Sequence, residues 1–538
     1  MLKRLFFISF LGLSVSISAA TATPQIPLSD FLKLQKALEP YMQEKCGKAG
    51  NFCSPIWWEY ATEADIEKEL KKHDINQIDP QGKTPLITAL EAKVDIKIIK
   101  FLLEKGADVN KQGSYFRSPL EASLLSDNVE LIKLLLAYGA KVKPNILVQN
   151  EHVAQKPAIL NLLLQKGARI DARDSEHGDT LLLKVVHYAD VETIQRLVKL
   201  GANVNAQNSY GDTVLMNAAT HDNPQVIQYL LEHGAKQTIN NQNEFSGNSA
   251  LITACISHPK NAKLLLQAGA NPNLQNHPYE ETALMQAIDK PNLLRLLLKF
   301  GANPNLINNY GENALAQAYQ QAKTEKDAKH LHKYRQTIEI LKPITNMNER
   351  DKEGRTALQK AYFKPDKMLN LIELGCDVNI HNKEGRTPLM SATYPVQIAS
   401  LKLLLEHGAD PNLRGSQNKT ALMIQFSNPE AVELLIEHGA QVNLQDKFGN
   451  TALSLAVGFN KIESVTVLLK HGANPNLANH KGFTPLMKAS INGYAELVEL
   501  LMKNGAAKSL NAKNDKGKTA LDVAKDASIR ALLKKSPN

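Results

Sequence analysis

The stretch LLLEHGADPN, Leu403 to Asn412, places His407, Asp410 and Asn412 within six residues, beside Glu406. Imidazole, carboxylate and amide groups at such spacing could hold a metal ion or relay a proton. Related clusters recur: His233, His438 and His471 each precede a Gly-Ala pair, and His330 and His332 form a His-x-His in DAKHLHKY. Cys46 and Cys53 bracket CGKAGNFC with six residues between them. Two thiols in a local loop could pair as a disulfide, but without a matching Cys or His pair they cannot complete a zinc tetrahedron.

Internal comparison argues against chemistry at the His-Gly-Ala clusters. In sister segments the place of His407 is taken by Lys105, Tyr138, Lys166, Leu200, Ala268, Phe300, Leu374 or Asn504. That of Asp410 is taken by Asn203, Asn271, Asn303, Gln441 or Asn474. Equivalent positions on packed helices lie about 8–10 Å apart, whereas ligands of one zinc sit about 2 Å from it. Register alone therefore cannot bring His407, His438 and His471 to one ion. Their expected role is to complement a helix C-terminus when protonated. On a helix, His330 and His332 point to different faces. No nucleophile elbow, His-Glu-x-x-His or phosphate-binding glycine loop occurs. The chain reads as non-catalytic, with no metal or cofactor. A hydrolase or metal enzyme built on 24–54 or 320–341 stays open as an alternative.

The elements that carry these residues are one motif written many times. GKTPLITA (82–89), GDTVLMNAA (211–219), GNSALITA (247–254), EETALMQA (280–287), GRTALQKA (354–361), GRTPLMSA (385–392), GNTALSLA (449–456), GFTPLMKA (482–489) and GKTALDVA (517–524) align. About twenty residues after each Thr or Ser comes a second signature, such as LLEKGADVN, LLQAGANPN or LLKHGANPN, and the Thr-to-Thr step is mostly 31 to 36 residues. Gly permits the opening turn; Thr, often followed by Pro, suits a helix start. Apolar residues then recur at helical spacing. Gly-Ala supplies a left-handed stop, and Asn, Asp and Pro favour a tight connection to the next Thr. One such helix pair cannot bury its apolar faces alone, so neighbours must stack.

The combination of G-x-T-P-L-x-x-A and L-L-x-x-G-A-D-V-N resembles the ankyrin repeat, over roughly residues 55 to 535. The resemblance implies an all-α solenoid of stacked helix pairs with β-turn fingers, about thirteen units including caps. It also implies binding of a protein partner on the concave face formed by fingers and inner helices. One departure is plain: where the family often carries His after Pro-Leu, this chain has Met216, Met285, Met390, Met423 or Met487, or another residue. That column reads as apolar packing.

The expected organisation is a signal peptide at 1–20, cut after Ala20 or Ala22, and an N-terminal helix and Cys46–Cys53 loop at 21–54. A capping half-repeat (55–78) bearing Trp57 and Trp58 precedes a first array at 79–345. That array contains a degenerate third repeat and an insertion at 320–341, where a bulge or bend is expected. A second array (346–515) and a capping repeat (516–538) follow. The leader has Lys3 and Arg4, an apolar run from Leu5 to about Ile17, and small residues at the cut. The run is too short to span a bilayer, which takes about 20 residues. The reading is an exported, not membrane-embedded protein, with the periplasm as the expected compartment and secretion as the alternative. Cys255 and Cys376 read as packing thiols. The net charge of +9 comes from Lys dispersed among Glu and Asp, with hydrophobic content of 43%. Nucleic-acid binding is not indicated.

Function is expected where the repeats disagree. Three residues before each Thr-equivalent lies a finger position, occupied in order by Gln81, Tyr115, His177, Tyr210, Ser246, Tyr279, Tyr310, Glu353, Glu384, Gln417, Phe448, Lys481 and Lys516, with Phe245 beside Ser246. Exposed aromatics suit a protein partner, making Tyr115, Tyr210, Phe245, Tyr279 and Tyr310 candidate contacts. The alternative is that each ring packs on its neighbouring finger. The expected role is a scaffold of the bacterial envelope, acting as protector or immunity-like inhibitor. A secreted effector binding host proteins is the other binding reading.

Overall fold

The Thr of most motifs caps a helix, as its chemistry suits. In the computed structural model, which describes residues 47–113, 117–392 and 398–534, Thr484 Oγ1 accepts from the Met487 N–H at 3.2 Å. Pro485 holds the first helical position of Pro485–Asn492. Helix Ala495–Lys503 follows, burying Leu497, Val498 and Leu501. Pro also opens Pro224–Glu232, Pro259–Gln267, Pro291–Lys299, Pro365–Glu373 and Pro429–Glu437, where its missing N–H goes unmissed. No β-strand forms among the described residues. Three isolated bridges, Gln207 to Thr213, Gln275 to Thr282 and Arg350 to Thr356, mark finger bases.

Contacts separate into two compact units, one ending at Ala172 and one beginning at Arg173. In the first, the stack is capped by helices Pro55–Tyr60 and Glu63–Leu70. Trp57 and Trp58 are buried. The Phe52 ring stacks on Trp58 at 5.7 Å, and the Trp58 indole N–H donates to the Phe52 carbonyl. The third repeat, which lacks most of its finger, replaces a single inner helix with two short turns, Ile146–Gln149 and Glu151–Gln155.

In the second unit, inner helices pack on inner helices (Val214–Ala219 on Ala250–Ser257) and outer on outer (Pro224–Glu232 on Pro259–Gln267). Met216, Met285, Met390, Met423 and Met487 are all buried. Burying each such side chain contributes about 1.5–3 kcal/mol. The insertion lengthens helices: Ala314–Thr324 and Ala328–Leu341 have 11 and 14 residues against 9 in Pro291–Lys299. Thr345, standing where other repeats have Gly-Ala, closes the second by donating its hydroxyl to Leu341 O at 2.8 Å.

Stacking changes at this point. Inner helix Ala314–Thr324 packs on the next repeat's outer helix, Pro365–Glu373. Gly311 is needed there, because a Cβ would collide with the Ala357 carbonyl. Ion pairs join the offset repeats: buried Lys360 reaches Glu280 at 2.6 Å and Asp351 at 3.7 Å. Lys367 pairs with Glu312 and Lys323 with Glu373.

Candidate functional site

The opening polar cluster is structural. Nδ1 of His407 donates to Leu403 O at 2.8 Å, at the end of helix Ile398–Glu406. His233 and His438 make the same bond, to Tyr229 O and Leu434 O, and Asn504 substitutes with its amide to Leu500 O. Gly408 then adopts a left-handed φ of 87°. Asp410 Oδ1 accepts from the Asn412 N–H. Asn412 clips the next repeat, donating to Gly439 O at 2.9 Å and accepting from Gln441 N–H at 2.8 Å. Asn76, Asn110, Asn273 and Asn379 form the same two-sided clip. His407, Asp410 and Asn412 are thus each engaged within the protein. Among the described residues, no group of three or more His, Cys, Asp or Glu is placed to hold a metal. His330 and His332 lie on the inserted helix, and His330 is 3.4 Å from Asp327.

The fingers of the second unit zip together through their backbones. Ser209 N–H donates to His177 O, Glu244 to Tyr210 O, His277 to Ser246 O and Asn309 to Tyr279 O, at 2.7–2.9 Å. Later fingers repeat it: Lys447 to Gln417, His480 to Phe448 and Asp515 to Lys481. The accepting carbonyls belong to the variable finger positions. Their backbone holds the row together while their side chains point outward, so a side chain there can change without unbuilding the stack.

Those side chains divide between local packing and exposure. The Tyr210 hydroxyl lies 3.3 Å from His177 Nδ1, yet the residue is 46% exposed. Phe245 is 85% exposed. Tyr279 is half exposed and stacks on Tyr310, ring centroids 6.4 Å apart. Tyr310 is half-buried, with Lys367 Nζ 4.3 Å from its ring centre and Phe363 beside it. The structure therefore brings Tyr279 and Tyr310 together and leaves Phe245 the most open. Tyr115 lies outside the described residues, as does Cys46; its expected partner Cys53 is buried and engaged.

Charge switches along the row. Finger segments from Arg173 to Glu312 carry eight acids and one base; those from Arg350 to Lys518 carry twelve bases and five acids. Burial pushes the Asp174 carboxyl up. The Lys184 ammonium and the N–H groups of His177 and Asp179 outweigh it and hold the pKa at about 2. Near the switch, a groove of about 440 Å³ is lined by Glu281, Gln286, Asp289, Gln317, Tyr334 and others. Glu281 accepts there from the Gln286 and Gln317 amides at 2.7 and 3.0 Å. Burial, with Asp289 and Glu325 nearby, pushes the Tyr334 hydroxyl pKa up, which keeps it a donor. The long-range ion pairs and finger zipper escaped sequence reasoning. So did a set of exposed apolar residues at inner-helix ends, Leu125, Ile256, Phe363, Phe459 and Ile491, which stand seven or eight residues after their Thr-equivalents.

Known proteins agree with this architecture. A family model described as Ankyrin repeats (3 copies) matches residues 59–146, 151–243, 181–276, 251–338, 327–415 and 397–479. Another, Ankyrin repeats (many copies), matches 468–524. Ankyrin repeat protein nuc-2 of Neurospora crassa is 31% identical over 138 residues, covering 24% of this chain and 13% of that protein. An ankyrin repeat protein of Acanthamoeba polyphaga mimivirus is 41% identical over 124 residues, covering 21% of this chain and 72% of that protein. Transient receptor potential cation channel subfamily A member 1 of Drosophila melanogaster is 26% identical over 145 residues, 25% of this chain and 12% of that protein. The chain thus matches only a small part of the length of the nuc-2 and channel relatives. The solved ankyrin repeat domain of Bcl-3 is similar at 24% identity and a TM-score of 0.35, over 47% of this chain and 98% of that one. Ankyrin repeats indicate a protein–protein interaction scaffold, generally non-catalytic, and among the described residues no helix is long and apolar enough to cross a membrane. With family matches running from residue 59 to 524, the chain belongs to the ankyrin repeat family.

Proposed function

We propose that this chain is an exported, non-catalytic scaffold of the bacterial envelope that binds a protein partner through its fingers and inner helices. The observation that carries the binding reading is the finger zipper. Backbone carbonyls of His177, Tyr210, Ser246 and Tyr279 hold the row, while Tyr210, Phe245 and Tyr279 stay 46%, 85% and 50% exposed. Aromatic side chains freed from structural duty on a rigid edge suit a binding hot spot. Tyr310 contributes as the platform under Tyr279, and Tyr115, at the corresponding sequence position, is a further proposed contact. The export reading rests on the charged start, apolar run and small residues of positions 1–22, and a Cys46–Cys53 disulfide fits the oxidising compartment it implies. A protector or immunity-like inhibitor is the role that suits such a location.

A photo-crosslinking residue at position 245, compared with one at Arg295 on an outer helix, tests the face in cells fractionated into cytoplasm, periplasm and medium. The expected result is one dominant adduct from position 245, in the periplasm. Adducts of equal yield from both positions refute the face, and recovery of the chain in the cytoplasm refutes export.

A further inference from the structure

We infer that residues 350–518 form a second docking surface, shaped for an acidic amphipathic segment of a partner protein. It rests on the reading that this chain binds protein through its fingers and inner helices, but uses different residues. One edge is cationic. In these fingers the ion pairs among the described residues are Arg355 with Asp351 and Glu353, Arg386 with Glu384, and Asp351 with the helix residue Lys360. Lys383, Lys447, Lys481 and Lys516 are exposed. Adjacent repeats are about 8–10 Å apart, so these charges form a ladder tens of ångströms long.

The opposite edge is apolar. Each inner helix runs from its finger to a loop, and at that far end this region carries exposed Phe363 (39%) and Phe459 (64%) in the loops and Ile491 (39%) in the last turn of Pro485–Asn492. Phe426 is half-buried with its ring 5.2 Å from Phe459. The floor between the edges includes half-buried Ile424 and Leu455. From Thr420 to Phe426 is six residues, about 9 Å along a helix. An α-helix about 10–12 Å across fits such a strip.

The charge pattern selects the occupant. Finger segments of 173–312 hold eight acids to one base, so an acidic partner is repelled there and drawn to 350–518. A single-stranded nucleic acid would use the lysines and stack a base on Phe459, but it presents no aliphatic face to Ile491 and Ile424. An acidic segment with one apolar face uses both edges.

The test uses the full-length chain and a synthetic helical peptide of about 20 residues, Glu on one face and Leu on the other, spanning about 30 Å. Controls are its Lys-for-Glu counterpart and single-stranded oligo-dT. The acidic peptide should bind saturably and weaken with salt. Lys383→Glu, Lys447→Glu and Lys481→Glu together should weaken it about 30-fold, and Phe459→Ser about tenfold. The melting profile should not change in either variant. Three results overturn the inference. One is no saturable peptide binding up to about 1 mM. Another is oligo-dT binding as tight and indifferent to Phe459→Ser. The third is a dimer of the free chain that Phe459→Ser dissolves, which assigns the face to a second copy. Adducts at position 245 with no peptide binding would remove this inference alone. Peptide binding with no such adducts would remove only the first face.

Discussion

Replacing Asn412 by Ala tests the assignment of LLLEHGADPN to structure. Asn412 makes two hydrogen bonds to the next repeat, 2.9 Å to Gly439 O and 2.8 Å from Gln441 N–H. At about 0.5–1.5 kcal/mol each, the pair contributes about 1–3 kcal/mol. Both freed groups lie near water, which places the loss nearer the lower end, about 1–1.5 kcal/mol. His407→Ala removes one bond to a helix-end carbonyl inside its own repeat, with an expected loss of about 0.3–1 kcal/mol. In a long repeat array a global unfolding midpoint blurs such local effects, so the assay is native-state hydrogen exchange. The Gln441 amide should exchange about tenfold faster in Asn412→Ala, since about 1.4 kcal/mol is a factor of ten. It should be unchanged in His407→Ala. Asn379→Ala should instead release the Asp410 amide, which Asn379 Oδ1 holds at 2.8 Å. The reasoning is refuted if Gln441 protection survives Asn412→Ala, or if His407→Ala removes it. Stoichiometric zinc on the purified chain, lost in His407→Ala, would restore the metal reading.

Glu280→Gln should destabilise the repeats around the insertion by about 1–2 kcal/mol, because it strips buried Lys360 of its closer partner. Lys360→Met should be milder, since Glu280 is left part-exposed; denaturant titration showing the reverse order contradicts the ion-pair account. Asp174 has a folded pKa near 2 against an ordinary 3.8. Its stabilisation is therefore present above about pH 4 and fades as pH falls toward 2, and Asp174→Asn should flatten that stretch of an acid-unfolding curve. Burial pushes the Cys255 and Cys376 thiols up to about 12. Both should resist a maleimide at neutral pH until the chain unfolds, and rapid native labelling would contradict their packing. Peptide mapping without reductant should recover Cys46 joined to Cys53; free thiols at both positions in chain recovered from the periplasm would remove the disulfide.

Most of the architecture was legible because the repeat states its own rules. Thr484 before Pro485 announced a capped helix, and Thr484 Oγ1 accepts from Met487 N–H. The Met column was legible as core because Met216, Met285, Met390, Met423 and Met487 share one place in their units. A His before Gly suits a helix end, and the Nδ1 bonds of His233, His407 and His438 give that a specific form, while His471 turns to Glu433. The Asn clip left a signal that was passed over. Asn76, Asn110, Asn205, Asn273, Asn305, Asn379, Asn412, Asn443 and Asn476 share that place, while Lys143, Asp171, Thr238 and Ser509 depart from it, a recurrence greater than a turn alone would need. The finger zipper left none, because backbone bonds carry no side-chain signature. Lys360 with Glu280 was out of reach for another reason: 80 residues separate them, and they meet only because stacking shifts after the lengthened helices. Along the finger row, sequence could name the aromatics but not sort them. Tyr310 lies under Lys367, whereas Phe245 stands open.

The most direct measurement compares partner capture by the native chain with that by Tyr210→Ala/Phe245→Ala/Tyr279→Ala. A control carries Lys263→Ala and Arg295→Ala on exposed outer-helix positions. All three chains should show the same helical melting profile. The account predicts that the finger variant loses the envelope partner recovered by the native chain while the outer-helix variant keeps it. Undiminished capture by the finger variant, or loss in the outer-helix variant alone, would contradict it.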